Sequence, residues 1–166
     1  MAAHSFGVSV TAMLLADELV SKGIDIDVEQ VLRMAILHDW AEARVGDLPR
    51  TATNYFGAEA RKAAESAALA DMVEALKSRA QYQDLHESYE ERNSVESRLV
   101  KAADVIDLLV QVLALERAGA RGLDEFWEVA DCADFELDGD AKKLIDSIFS
   151  ALLAERRKVT KGTHVI

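Results

Sequence analysis

Residues 28 to 49 read VEQVLRMAILHDWAEARVGDLP, and their pattern decides the fold. Val28, Val31, Leu32 and Ala35 recur at three- and four-residue steps, the period of one helix face, and His38, Asp39 and Glu42 continue the same stripe. The spacing predicts a helix that opens on Asp27 as N-cap and runs to about Arg44, before the turn Gly46-Asp47-Leu48-Pro49. The side that faces a core thus changes from apolar to ionisable. Carboxylates on such a face are costly unless paired or coordinated, so this run of groups calls for a cation. On a helix His38 and Asp39 sit about 100° apart and can both reach one ion, with Glu42 one turn past His38 as a nearby acid or base. The alternative is a satisfied core histidine, with Asp39 and Glu42 at a solvated helix end beside Arg44. Taken alone, the segment leaves these two readings balanced.

The flanking sequence is helical in both directions. Val8, Ala12, Leu15 and Leu19 predict a first helix from near the start to about Lys22, with Gly23 as its stop. An alanine-rich helix covers about Ala58 to Ala80, and the polar, weakly periodic residues 81 to 92 read as a connection of uncertain form. Asn93 with Glu96 resembles a capping box opening a long helix to about Ala118, with Leu99, Ala103, Ile106, Val110 and Leu113 as its core stripe and Asp104 at the border. Two further helices fall at about 123 to 133 and 139 to 158, the latter with Leu144, Ile145, Ile148, Phe149 and Leu152 on one side. No segment alternates with period two. The expectation is an all-α, single-domain bundle of about six helices over residues 1 to 166.

Composition narrows the function. A formal net charge of -11 disfavours a polynucleotide partner, which is bound through clustered Lys and Arg. A lone cysteine, Cys132, excludes an intrachain disulfide and a Cys-based zinc site, fits a reducing cytoplasm and reads as a small packing residue. His4, Asp17 and Glu18 interrupt the apolar start and no basic n-region precedes it, so no secretory signal is expected. Nor does any stretch approach the roughly 20 apolar residues of a membrane span. A soluble, cytoplasmic protein is expected. His4 shares a helix face with Val8, Thr11 and Leu15, where an imidazole needs a partner, and the simplest role for Asp104 is an ion pair with Lys101.

The order His4, His38-Asp39, Asp104, set in the contexts HSFGVSVTAMLLA, ILHDWAEARVGDLP and RLVKAADVIDLLVQ, resembles the HD-domain superfamily and, within it, the 5'-deoxynucleotidase branch. The resemblance covers about residues 2 to 115, with the later helices matching only as generic packing. It implies a helical bundle in which His4, His38, Asp39 and Asp104 hold one divalent metal ion. Two imidazoles and two carboxylates suit Mn, Co, Fe, Ni, Zn or Mg. It implies that Glu42 exchanges protons with the attacking water or the leaving 5'-oxygen, and that Asp47 orients the nucleophile. The substrate implied is a small nucleotide, a deoxyribonucleoside 5'-monophosphate foremost, and the assembly a homodimer. Lys101 can reach a phosphate or lie along the surface. Asp107 reads as a support for the site or a solvated partner, Glu65 as a support or a surface acid, and Arg44 and Arg50 flank the turn. Trp40 and Trp127 read as packing residues.

The family also has a further N-terminal helix carrying an Arg-Trp pair for the substrate phosphate and base, which would lie ahead of residue 1. Weak phosphate capture, resting on the metal and Lys101, is therefore expected of residues 1 to 166. Three other readings stand beside the first: an HD phosphohydrolase for another nucleotide, a catalytically silent HD module, and a di-iron oxygenase. The last needs further histidines, which His86 and His164 are poorly placed to supply.

Overall fold

The stripe Val8, Ala12, Leu15 and Leu19 is buried throughout, and it fixes the first helix, α1 (Ala2–Ser21), against the rest of the chain. The structure is a computed structural model describing residues 2–162, without the side chains of residues 50, 51, 131, 132, 161 and 162. His164 and the side chains of Arg50 and Cys132 lie outside the described residues. The other helices are α2 (Val28–Leu37), α3 (Glu42–Val45), α4 (Arg50–Phe56), α5 (Ala58–Val73), α6 (Arg79–Glu91), α7 (Val95–Arg117), α8 (Asp124–Cys132) and α9 (Gly139–Gly162). No strand occurs among the described residues, so the all-α expectation holds. No helix among them is long and apolar enough to cross a membrane.

The long helix α7 is the axis of the bundle. It packs against α1, α2, α6, α8 and α9, and its Leu99, Val100, Ala102, Ala103, Ile106 and Leu109 join the main core. Val110, predicted for that stripe, is 46% exposed. The face rotates enough over this helix that Leu109 and Val112 take the inward positions instead. A smaller cluster of Ala41, Leu69 and Val73 fastens α5 to the segment after α2.

The roughly six helices expected from periodicity become nine helical segments among the described residues, for local reasons. Asp27 caps α2 as predicted, its Oδ1 accepting from the Gln30 N–H at 2.9 Å. That helix stops at Leu37 rather than near Arg44, because the chain tightens into i→i+3 turns: the Trp40 N–H donates to Leu37 at 2.9 Å and the Glu42 N–H to Asp39 at 3.1 Å. The His38 side chain contributes to this, since its Nδ1–H donates to the Ala35 carbonyl at 2.8 Å. An uninterrupted helix would offer that carbonyl to the Asp39 N–H.

The alanine-rich helix ends at Val73 rather than near Ala80, and where residues 81 to 92 read as a connection of uncertain form, residues 79 to 91 form the helix α6. Leu85, His86 and Tyr89 are its only buried residues, too few to show a period against ten polar or exposed neighbours. The cap of α7 is Ser94 with Ser97 rather than Asn93 with Glu96, each serine hydroxyl accepting the other residue's N–H at 3.1 Å. Glu96 instead accepts the Asp27 N–H at 3.1 Å, tying the starts of α2 and α7 together.

Candidate metal centre

Two helices and a turn each deliver part of one cluster. α1 brings His4, the turn after α2 brings His38 and Asp39, and α7 brings Asp104. The donor atoms of His4, His38 and Asp104 all lie within 4.8 Å of one another. His4 Nε2 stands 3.1 Å from Asp104 Oδ1, and His38 Nε2 stands 4.0 Å from the same oxygen. Asp39 joins through Oδ2, 3.0 Å from His38 Nε2 and 3.6 Å from His4 Nε2. Donors bound about 2.0–2.2 Å from one ion are at most about 4.4 Å apart. These four of the six pair separations satisfy that limit, and the mutually close set is His4, His38 and Asp104, with Asp39 beside it.

The tautomers suit a cation as well. With its Nδ1–H given to Ala35, neutral His38 has a lone pair at Nε2, and this buried nitrogen has no hydrogen-bond partner. It faces the Asp39 carboxylate at 3.0 Å, an arrangement relieved by a positive charge between the two, a proton on Nε2 or a metal ion in its place. His4 is oriented in the same manner: its Nδ1–H donates to Asp107 Oδ2 at 2.7 Å, leaving Nε2 toward Asp104. Gln111 Nε2 donates to the same Asp107 oxygen. Asp107 is thus buried support for a site imidazole, the arrangement that fixes ring orientation at metal centres.

Sequence reasoning overlooked two parts of this support. Tyr89 on α6 donates its phenol O–H to Asp104 Oδ2 at 3.3 Å and packs edge-on to His38, with ring centroids 5.6 Å apart. Burial pushes the phenol well above its ordinary range, so it remains a donor. Gly7 is the other. A Cβ on Gly7 would overlap Asp107 Oδ1 and stand 2.7 Å from its Cγ. Alanine is the better helix former by about 1 kcal/mol, yet here it would displace a carboxylate held by His4 and Gln111. Gly7→Ala is expected to weaken divalent-ion binding by about 10- to 100-fold while the protein stays folded. Calorimetric titration with Mn²⁺ checks this, and an unchanged affinity would remove Asp107 from the site's support.

A cleft of about 700 Å³ opens over the cluster and is lined by His4, His38, Asp39, Glu42, Asp47 and Lys101 among others, so the predicted site residues share one cavity. Lys101 Nζ is engaged by Asp104 Oδ2 at 2.6 Å. Burial pushes the Glu42 carboxyl up to about 7, assisted by the charges of Asp39, Asp47 and Glu65. Glu65 is buried and paired with Arg61 at 2.6 Å, a support within the cleft rather than a surface acid. Burial alone would raise Asp104, but hydrogen bonding to His4 and the charge of Lys101 hold it well below the usual carboxylate range. His86 is buried on another cleft between α5 and α6, away from the cluster. Trp127 is buried as predicted, whereas Trp40 is 38% exposed and meets Tyr82 edge-on. Arg44 pairs with Asp71 at 3.0 Å, outside the cleft.

Hydrogen bonding to Asp104 raises His4 most, burial opposes it, and Asp107 adds to the rise, bringing the imidazole to about 9. For His38 burial is the largest influence and opposes protonation, but the Asp39 and Asp104 carboxylates and the Ala35 carbonyl together outweigh it, so His38 is raised too. A folded value above the ordinary 6.5 means that the His4 contribution to ion-free stability is complete below pH 6.5 and is lost as pH rises toward 9. An incoming metal must displace that proton. Divalent-ion affinity is therefore expected to rise by about tenfold per pH unit for each imidazole that releases a proton, and to level off above about 9. Calorimetry in buffers of different ionisation heat counts the protons released, and a pH-independent affinity would contradict ligation by His4.

Residues 1–130 match the family described as HD domain, a span that includes the whole cluster and most of α8, further than the resemblance at about 2 to 115 implied. The chain is 28% identical over 120 residues to a 5'-deoxynucleotidase of Xenopus laevis, covering 71% of this chain and 56% of that protein. It is 28% identical over 151 residues to a 5'-deoxynucleotidase of Saccharomyces cerevisiae, covering 86% of this chain and 60% of that one. The chain thus spans less than two thirds of the length of these curated relatives. Two solved archaeal structures are similar over nearly all of it. A conserved hypothetical protein from Pyrococcus furiosus aligns with a TM-score of 0.72 and 36% identity, over 95% of this chain and 82% of that one. A protein from Pyrococcus horikoshii aligns with a TM-score of 0.76 and 32% identity, over 93% and 82%.

Proposed function

Because the chain belongs to the HD-domain family, we propose that it is a metal-dependent phosphohydrolase that removes phosphate from nucleoside 5'-monophosphates, deoxyribonucleotides foremost. The observation that carries this reading is the meeting of two imidazole nitrogens and two carboxylate oxygens in a cleft that also holds Glu42. The names of the frog and yeast relatives support the substrate class. In this reading His4, His38, Asp39 and Asp104 hold one divalent ion, and the N/O donor set suits Mn, Co, Fe, Ni, Zn or Mg. When bound, the ion acidifies water and offsets negative charge on phosphorus.

The chain's own groups do the rest. Asp107 and the Ala35 carbonyl fix the two imidazoles, and Tyr89 and Lys101 hold Asp104. Glu42, titrating near neutrality, takes a proton from the water that attacks phosphorus and returns one to the leaving 5'-oxygen as the P–O bond breaks. Asp47, exposed in the turn at the cleft, orients that water, and Lys101, while engaged by Asp104, lends its positive charge to the phosphate. The same reading includes a cytoplasmic homodimer. The contacting helices α1 and α7 support the dimer, exposing Phe6 and Leu14, and Val110 and Leu115, to a partner copy.

A phosphate-release screen against mono-, di- and triphosphates with each metal tests the substrate. Preferred release from deoxyribonucleoside monophosphates is expected. Release from triphosphates alone would move the assignment to another nucleotide, and no release with any metal would favour a silent HD module.

A further inference from the structure

The helix α6 ends on an arginine where a left-handed C-cap ordinarily carries glycine or asparagine. Arg92 has φ 54°, a conformation in which a Cβ crowds the backbone, so a long side chain here is disfavoured unless it has a role of its own. The backbone of Arg92 supplies none. Its N–H donates to the Ser88 carbonyl at 3.1 Å and its carbonyl accepts from Arg98 Nε at 2.9 Å, bonds that any residue can make. What is particular to arginine is the guanidinium. It lies over the Tyr89 ring, with Cζ 3.8 Å from the centroid. Tyr89 in turn touches His38 and donates to Asp104, so the cation rests on the side chain that adjoins two members of the cluster.

The surrounding charge is decisive. The cleft is lined by Asp39, Glu42, Asp47, Glu65, Glu90 and Asp104, and its other described cations are already engaged. Arg61 pairs with Glu65 at 2.6 Å and Glu90 at 3.1 Å, and Lys101 pairs with Asp104 at 2.6 Å. Arg92 lines the same cleft yet forms no ion pair among the described residues, and its Nη1 is buried without a hydrogen-bond partner. A buried guanidinium N–H without an acceptor is costly. The side chain as a whole is half-buried and lines the cleft, so an acceptor that arrives with a ligand can meet the guanidinium from the open side. A guanidinium seated over an aromatic face carries a fork of donors that can match two oxygens of a phosphate, which lysine cannot reproduce.

We propose that Arg92 grips the phosphate of the substrate, its guanidinium seated over Tyr89 beside the His4, His38, Asp39 and Asp104 cluster. The identity of the substrate rests on the phosphohydrolase reading. Capture of a phosphate anion does not.

Arg92→Gly separates this role from a structural one, because it removes the fork while relieving the left-handed cap. Thermal midpoint and metal content are expected to stay the same or rise, whereas calorimetric affinity of the Mn²⁺-loaded protein for inorganic phosphate falls by about 10- to 100-fold. KM for a deoxyribonucleoside monophosphate rises in step while kcat changes less, and Arg92→Lys restores only part of the loss. Unchanged phosphate affinity in Arg92→Gly overturns the proposal, as does a wild-type protein that binds no phosphate. A drop in thermal midpoint matching the loss of binding also overturns it, since Arg92 would then be a brace for Tyr89. If Arg92→Gly loses phosphate binding but the wild type hydrolyses no monophosphate, the arginine's role stands and the phosphohydrolase reading fails. Hydrolysis with unaltered phosphate affinity and KM gives the converse.

Discussion

Alanine at His38, or at Asp104, is expected to strip the protein of its divalent ion. His38 Nε2 is the buried donor with no alternative partner, and its side chain is fully enclosed, so neither water nor a neighbour can take its place without repacking. Asp104 is shared by His4, Lys101 and Tyr89, so its loss releases all three as well as a donor oxygen. Disturbing an outer-shell partner of a metal ligand costs about 10- to 100-fold in affinity. Deleting a direct ligand is expected to exceed the upper end of that range, leaving no ion after dialysis. Elemental analysis reads the outcome, and one ion per chain retained in both variants would falsify the site.

The Glu42→Gln variant is expected to behave in the opposite way, keeping its ion and losing turnover by about 10²- to 10⁴-fold. Glutamine preserves size and hydrogen bonding but cannot take up a proton. Burial and three neighbouring carboxylates keep Glu42 near 7, which lets one group both accept and return a proton at neutral pH. The sign follows from that rise. A carboxyl raised above its ordinary 4.5 favours the protonated fold, so its stabilising contribution is present below pH 4.5 and is lost as pH climbs through about 7. Glu42→Gln is therefore expected to be at least as stable as the wild type at neutral pH. A near wild-type rate would end the role assigned to Glu42.

The parts of the site legible in the sequence were those where one helix carries its own contradiction. His38, Asp39 and Glu42 stood out because they continue an apolar stripe, and His4 and Asp104 because each borders one. Asp39, Glu42 and Asp47 do share a cleft with the histidines, although the helix expected to carry the first two breaks at Leu37. That break depends on a side-chain bond from His38 to a backbone carbonyl, which no periodicity records.

Other features were hidden because they arise between distant segments. Gly7 matters only through Asp107 and Tyr89 only through Asp104, while the role of Arg92 emerges once the other cleft cations are seen to be paired. Among the helices, α1 and α9 were plain from their stripes. By contrast, α6 buries only Leu85, His86 and Tyr89 and is held by packing against α5 and α7, information that a local window does not contain.

The most direct test of the account is a metal titration of chelator-treated protein, following phosphate release from deoxyadenosine 5'-monophosphate. No release is expected before metal is added, then a rise that reaches its plateau near one equivalent of Mn²⁺ per chain. Release that persists under chelator, or no release with any of the six metals, would contradict it.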